Sequence, residues 1–291
     1  MKRMKWALLA GLMLAGFAMT FMLEGAGKSD ASGSGDMADP YLDPFAMTLA
    51  HRHAAVETAS EKAVRMRFEW PEGAPAAGEA GLLRLTVTGK GGTPIESFDV
   101  VNEKLIHLVV VSRDLAEFQH VHPEYKGKGI YELDVAFPAG GSYKLYADFQ
   151  PTGMNELTRT AEVAVAGTPG AAYDLTPSES FVATVDGMQV ELTFDQAPAK
   201  LQALTMTYTF TDAKTGEPIR DLELYLGAVG HAVAIDEGLN DYLHLHPLNW
   251  ASSGPQAVFG VSFPRSGLYK LWGQFQRNGE VFLVPFTAEV R

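Results

Sequence analysis

Residues Pro94 to Pro123, PIESFDVVNEKLIHLVVVSRDLAEFQHVHP, align without a gap to residues Pro218 to Pro247, PIRDLELYLGAVGHAVAIDEGLNDYLHLHP. Eight of the thirty positions are identical, and three of those eight are histidine: His107, His120 and His122 answer His231, His244 and His246. The match resumes downstream, where FPAGGSYKLYADFQ from Phe137 corresponds to FPRSGLYKLWGQFQ from Phe263. An internal repeat of this length decides the architecture, because each copy must be one folding unit. The chain of 291 residues is also long enough for two hydrophobic cores.

Both copies carry strand signals. Val64, Met66, Phe68 and Trp70 alternate with charged residues, and Met188, Val190, Leu192 and Phe194 alternate with polar ones after an Asp186-Gly187 turn. Tyr143, Leu145, Ala147 and Phe149 share one face of a strand, as do Tyr269, Leu271, Gly273 and Phe275. A Gly or Pro turn entering a strand that begins with Tyr matches the tyrosine corner of immunoglobulin-like sandwiches. The expected fold is all-β: two tandem immunoglobulin-like antiparallel sandwiches over residues 64–166 and 179–291, joined by a linker at 167–178.

The histidines are the candidate site. In a strand, an H-x-H pair puts two imidazoles on one face, roughly 7 Å apart. The apolar run Leu105 to Val111 forms a hairpin with the H-x-H strand through the polar turn Ser112 to Glu117. If paired residue numbers add to 229, His107 faces His122 and lies diagonal to His120, so that three rings converge; a slip of one residue sends His107 to the other face. Neutral imidazoles in such a set bind transition metals, and one three-His site per repeat is expected, with copper the first choice and zinc the second. Met154 in the first repeat and Asp241 or Tyr242 in the second are candidate additional ligands. The alternative is structural: histidines that hydrogen-bond and fix strand ends, duplicated along with the domain. Six of the eight histidines occupy the repeated positions, a concentration that favours ligands. His51 and His53 are set apart as a solvated pair.

The rest of the sequence narrows the function by exclusion. A net charge of −12 with no basic run offers no footprint for nucleic acid. Cysteine is absent, so disulfides and thiolate sites are excluded. There is no G-x-S-x-G, no H-E-x-x-H and no phosphate-binding glycine loop, so a binding module is expected rather than an enzyme.

Lys2, Arg3 and Lys5 precede an uncharged run from Trp6 to Leu23. That is the layout of an export signal, read as an anchor over 1–23 with a cleaved signal peptide as the alternative. The positive-inside rule then places the domains on the outer face of the cytoplasmic membrane, where a membrane or cell-surface protein partner is conceivable. Residues 24–63 read as a Gly/Ser-rich tether followed by a short helix within Phe45 to Ala63.

The pattern G-H-x-V…H-x-H-P followed by F-P…G-x-Y-K-L-x-x-x-F resembles that of secreted or membrane-anchored bacterial proteins with YtkA-like or FixH-like β-sandwich domains. The second copy, from Gly230-His231 to Pro247, fits it more closely than the first, where Ile106 stands before His107. The resemblance implies a β-sandwich, with copper handling associated with some members, and no set reaction.

Overall fold

The computed structural model describes residues 57–171 and 173–291. The export segment, the tether and His51 and His53 lie outside them. Of the expected helix within Phe45 to Ala63, the described part is α1 (Ala59–Ala63), which is closed by a capping box. The Thr58 side chain accepts from Glu61 N, and the Glu61 carboxylate accepts from Thr58 N. No helix among the described residues is long and apolar enough to cross a membrane.

The first repeat is built from β1 (Arg65–Glu69), β2 (Ala80–Thr88), β3 (Phe98–Asp99), β4 (Ile106–Ser112), β5 (Phe118–Val121), β6 (Glu124–Gly127), β7 (Ile130–Ala136), β8 (Gly141–Pro151) and β9 (Leu157–Val165). The second comprises β10 (Val182–Val185), β11 (Met188–Phe194), β12 (Leu204–Asp212), β13 (His231–Asp236), β14 (Tyr242–Leu245), β15 (Gln256–Val261), β16 (Gly267–Arg277) and β17 (Glu280–Val290). Each repeat is a sandwich of two antiparallel sheets. In the first, β1-β2-β7-β6 lies against β5-β4-β8 with β9 and β3 paired to β8. In the second, β10-β11-β12-β15 lies against β14-β13-β16-β17. This division of successive strands between two sheets is that of an immunoglobulin-like sandwich. The tyrosine corner is present in the first repeat, where the Tyr143 hydroxyl donates to Ala139 O at 2.9 Å. In the second repeat Tyr269 receives Arg265 N and donates to the Asp241 carboxylate.

Strand β4 explains how the repeats are joined. A sheet strand with one wet face alternates apolar and polar residues, but every residue of β4 is buried. Ile106, Leu108 and Val110 enter the first core, while Val109 and Val111 on the opposite face enter a different cluster. In β13, Ala232 and Ala234 enter the second core, and Val233 and Ile235 join Val109 and Val111. The sheets containing β4 and β13 therefore pack on each other through their outer faces. Both sandwiches belong to one compact unit.

The interface has approximate two-fold character. Tyr146 stacks on Tyr242 at 4.4 Å, and Phe118 stacks on Trp272 at 4.7 Å. In the repeat alignment Tyr146 corresponds to Trp272, and Phe118 to Tyr242, so the two stacks are the same contact made in both directions. Leu115 and Leu239, another matched pair, close the cluster. Tyr146 and Lys144 donate to Leu239 O at 2.8 and 2.6 Å.

Candidate metal centre

The hairpin register is the one the histidine spacing requires. Leu108 pairs with Val121 and Val109 with His120 in the first repeat; Ala232 pairs with Leu245 and Val233 with His244 in the second. His107 and His231 sit one step beyond these ladders, on the face that holds Val109 and Val233. That face is the interface between repeats. The two triads consequently do not form separate sites, one per repeat, as the sequence led us to expect. They abut in a single cluster of six rings.

Four rings form its centre: His107 and His120 from the first repeat, His231 and His244 from the second. Their six pairwise centroid distances run from 5.2 to 6.3 Å, so the centres mark the corners of a slightly irregular tetrahedron. Four imidazoles bound at ~2.05 Å to one tetrahedral ion would place their ring centres about 5.2 Å apart. The three distances among His107, His120 and His244, 5.2–5.3 Å, have that value, whereas the His231 ring stands farther off, 5.9–6.3 Å from the other three. Ligand nitrogens of His107, His120 and His244 already lie within 4.8 Å of one another.

Each inner ring is held from behind by a polar group, which orients it. His107 Nε2 donates to Val101 O at 2.9 Å, and His231 Nε2 donates to Tyr225 O at 3.0 Å. Both carbonyls belong to matched tight turns closed by the bridges Val101–Lys104 and Tyr225–Ala228. His120 Nδ1 bonds across the interface to the Gln274 amide at 2.7 Å, and His244 Nδ1 donates the other way to Asp148 Oδ2 at 3.1 Å. These bonds leave Nδ1 of His107 and His231 and Nε2 of His120 and His244 turned toward one another, and His107 Nδ1 and His120 Nε2 share a hydrogen bond in which one of the two carries the proton. His107 Nδ1 lies 3.0 Å from His120 Nε2, close to the separation of about 3.3 Å between two nitrogens sharing a tetrahedral ion. His231 Nδ1 is buried with no hydrogen-bond partner among the described residues.

Burial holds four of the rings neutral. His231 is fully buried and its pKa is depressed to about 4, chiefly by desolvation and then by the neighbouring His107. Desolvation likewise carries His120 well below the ordinary imidazole range, reinforced by the surrounding histidines. His107 moves down for the same reason, partly opposed by its bond to Val101 O. His122 falls to about 3. Neutral imidazole is the form that binds metal.

The outer pair breaks the symmetry. His122 Nε2 lies 3.2 Å from His107 Nδ1, whereas His246 Nε2 receives the Asn102 amide at 2.8 Å. The supporting acceptors differ as well. Asp148 is a buried carboxylate that also receives Tyr242 OH at 2.5 Å and Thr158 Oγ1 at 2.6 Å, while its counterpart Gln274 is neutral.

The other expected ligands lie elsewhere or act indirectly. Met154 packs against the first core and lines an outer groove with Ala59 and Pro94. Asp241 is engaged by Arg265 and Tyr269. Tyr242 donates its hydroxyl to Asp148, which in turn holds His244. Asp148 and Gln274 escaped the sequence reading because each sits on the β8 or β16 face that alternation marks as solvent-facing. The signal available was the unbroken apolar run of Leu105 to Val111, which requires a cover on both faces.

The family described as a domain of unknown function (DUF8832) matches the chain twice, over residues 56–167 and 183–291. No curated protein matches it. Among solved structures, the bacterial integrin-binding protein invasin aligns at 13% identity over 78% of this chain and 39% of its own, with a TM-score of 0.23. The D00-D0 domain of intimin aligns at 12% identity over 78% of this chain and 100% of its own, with a TM-score of 0.23. Salmonella α2-macroglobulin aligns at 14% over 78% and 15%, with a TM-score of 0.25. Scores this low equate no architecture, and the fold rests on the strand ladders above.

Proposed function

We propose, for a chain that belongs to the DUF8832 family through both of its repeats, that it is an extracytoplasmic binding module for a transition-metal ion. The ion sits between the repeats, held by His107, His120, His231 and His244. The observation that carries this reading is the convergence of buried imidazoles: ligand nitrogens of His107, His120 and His244 lie within 4.8 Å of one another, His231 Nδ1 is buried beside them without a hydrogen-bond partner among the described residues, and each of the four rings is tied at its other nitrogen by a group behind it.

Four imidazoles without thiolate suit copper and zinc, with copper first because the amino terminus reads as an export signal and the histidine motif resembles that of domains associated with copper handling. The basic residues before the Trp6–Leu23 run support anchoring on the outer face of the cytoplasmic membrane. Storage, delivery or sensing of the ion is the corresponding role, and we assign no reaction.

The test is equilibrium dialysis of the purified full chain against Cu(I) and Zn(II), with Co(II) as a spectroscopic reporter. Binding that is abolished in His120→Ala and His244→Ala, and a Co(II) complex with intense tetrahedral d–d bands, are expected. Uptake no greater than that of a variant with all six cluster histidines replaced by Gln overturns the reading. In that event a purely structural role is left, in which the same substitutions lower thermal stability equally with and without metal.

A further inference from the structure

The six histidines are not used alike. His107, His120, His231, His244 and His246 are 0–8% exposed, and His122 is the only member of the cluster that reaches solvent to an intermediate degree. Its Nε2 donates to His107 Nδ1 at 3.2 Å, beside the position of the ion but outside the inner set, and a shift of that proton to His122 Nδ1 frees the Nε2 lone pair for metal. A nitrogen in that place can bind the ion at the surface of the cage and release it to the inner set.

The matching nitrogen in the second repeat is engaged. Asn102 Nδ2 donates to His246 Nε2 at 2.8 Å, which occupies the lone pair that would otherwise take metal. The residue equivalent to Asn102 in the second repeat is Leu226, in the same left-handed backbone conformation (φ 47° and 51°). Leucine has no amide with which to cap His122.

Resting on the metal reading above, we propose that His122 is an exchange ligand through which the ion enters and leaves the centre from the first-repeat side, and that Asn102 closes the equivalent route at His246. The transfer is ligand substitution without redox change. His122 Nε2 forms a bond to the ion as one bond to the donor's ligand breaks, and a second substitution then passes the ion to His107 Nδ1. The donor is a soluble Cu(I) complex of a small nitrogen or sulfur ligand.

The experiment loads the full chain with Cu(I) and follows its transfer to an excess of a chromophoric Cu(I) chelator by stopped flow, with affinity measured separately by competition. His122→Ala, with His122→Gln as the size-preserving variant, should slow release about tenfold while changing affinity less than about threefold. His246→Ala should leave the rate unchanged. Asn102→Ala, by uncapping His246, should raise it about twofold, the result expected of a second parallel route. Wild-type release rates in both His122 variants, or equal slowing by His246→Ala, would overturn the assignment. A loss of affinity beyond about tenfold in His122→Gln would do so too, making His122 a resident ligand. An unchanged rate in Asn102→Ala removes the role given to that residue. Failure of the unaltered chain to hold Cu(I) would instead strike the underlying metal reading.

Discussion

Lowering the pH from 7.5 to 5 should destabilise the metal-stripped protein through its buried imidazoles. In the unfolded chain a histidine titrates near 6.5, whereas folded His231 titrates at about 4. Between those values the unfolded state holds more protons, so stability falls as pH drops through 6.5, and the loss levels off only once the folded ring protonates. For His231, which is fully buried, the loss at pH 5 relative to pH 7.5 is about 2 kcal/mol. His122, depressed to about 3 but partly exposed, adds about 1 kcal/mol after discounting for solvent screening. His107 and His120 shift in the same direction, so the four rings whose pKa falls contribute ~3 kcal/mol or more. Carboxylates held low by hydrogen bonds, such as Glu61 and Asp212, lose most of their contribution below this window and add little within it. Urea denaturation in chelator at the two pH values measures the difference as a midpoint shift of about 1 M. His231→Gln should remove about 2 kcal/mol of the pH dependence. Equal midpoints at pH 7.5 and 5, or an undiminished dependence in His231→Gln, would refute the account of the rings as buried and neutral.

Other perturbations address the interface and its supports. Trp272→Ala removes the stack on Phe118 and should cost about 3–5 kcal/mol in urea denaturation, with faster proteolysis in the linker at 167–178; a loss below about 1 kcal/mol would show that the stack contributes little. Asp148→Asn keeps the shape but removes the charge that orients His244, so chelator competition should report metal binding about 10–100-fold weaker. Gly230→Ala would bring its Cβ to 2.4 Å from Phe275 Cδ1 and 2.7 Å from Gln274 O. It should destabilise the second repeat by about 1–3 kcal/mol, read as a lower thermal midpoint.

The hairpin holding the histidines was legible because side-chain alternation has a period of two: a slip of one residue would send His107 to the other face, and the register expected from the spacing, with paired numbers adding to 229, is the one β4 and β5 adopt. The tyrosine corner at Tyr143 was legible for a similar reason, since its bond is local. The union of the two triads was not. It depends on a contact between residues more than a hundred positions apart, and the offset that relates the repeats carries no information on whether they touch. Tyr146 and Trp272 lie on the face opposite the row of Tyr143 or Tyr269, and their burial follows from the common cover that Val109 and Val233 need. Asp148 and Gln274 became intelligible at the same moment, because each supports a histidine of the other repeat.

The reciprocal crossing of Asp148 and Gln274 bears on the history of the chain. One repeat alone presents half of the cluster, and two identical copies related by a two-fold axis would each offer the same patch. In such a dimer every change is made twice, so a carboxylate behind one imidazole means a carboxylate behind both. Fusion into one polypeptide lifts that constraint. The aspartate facing a glutamine, and the asparagine facing a leucine at positions 102 and 226, are differences that a symmetric pair of identical chains cannot hold, and they give the centre a front and a back.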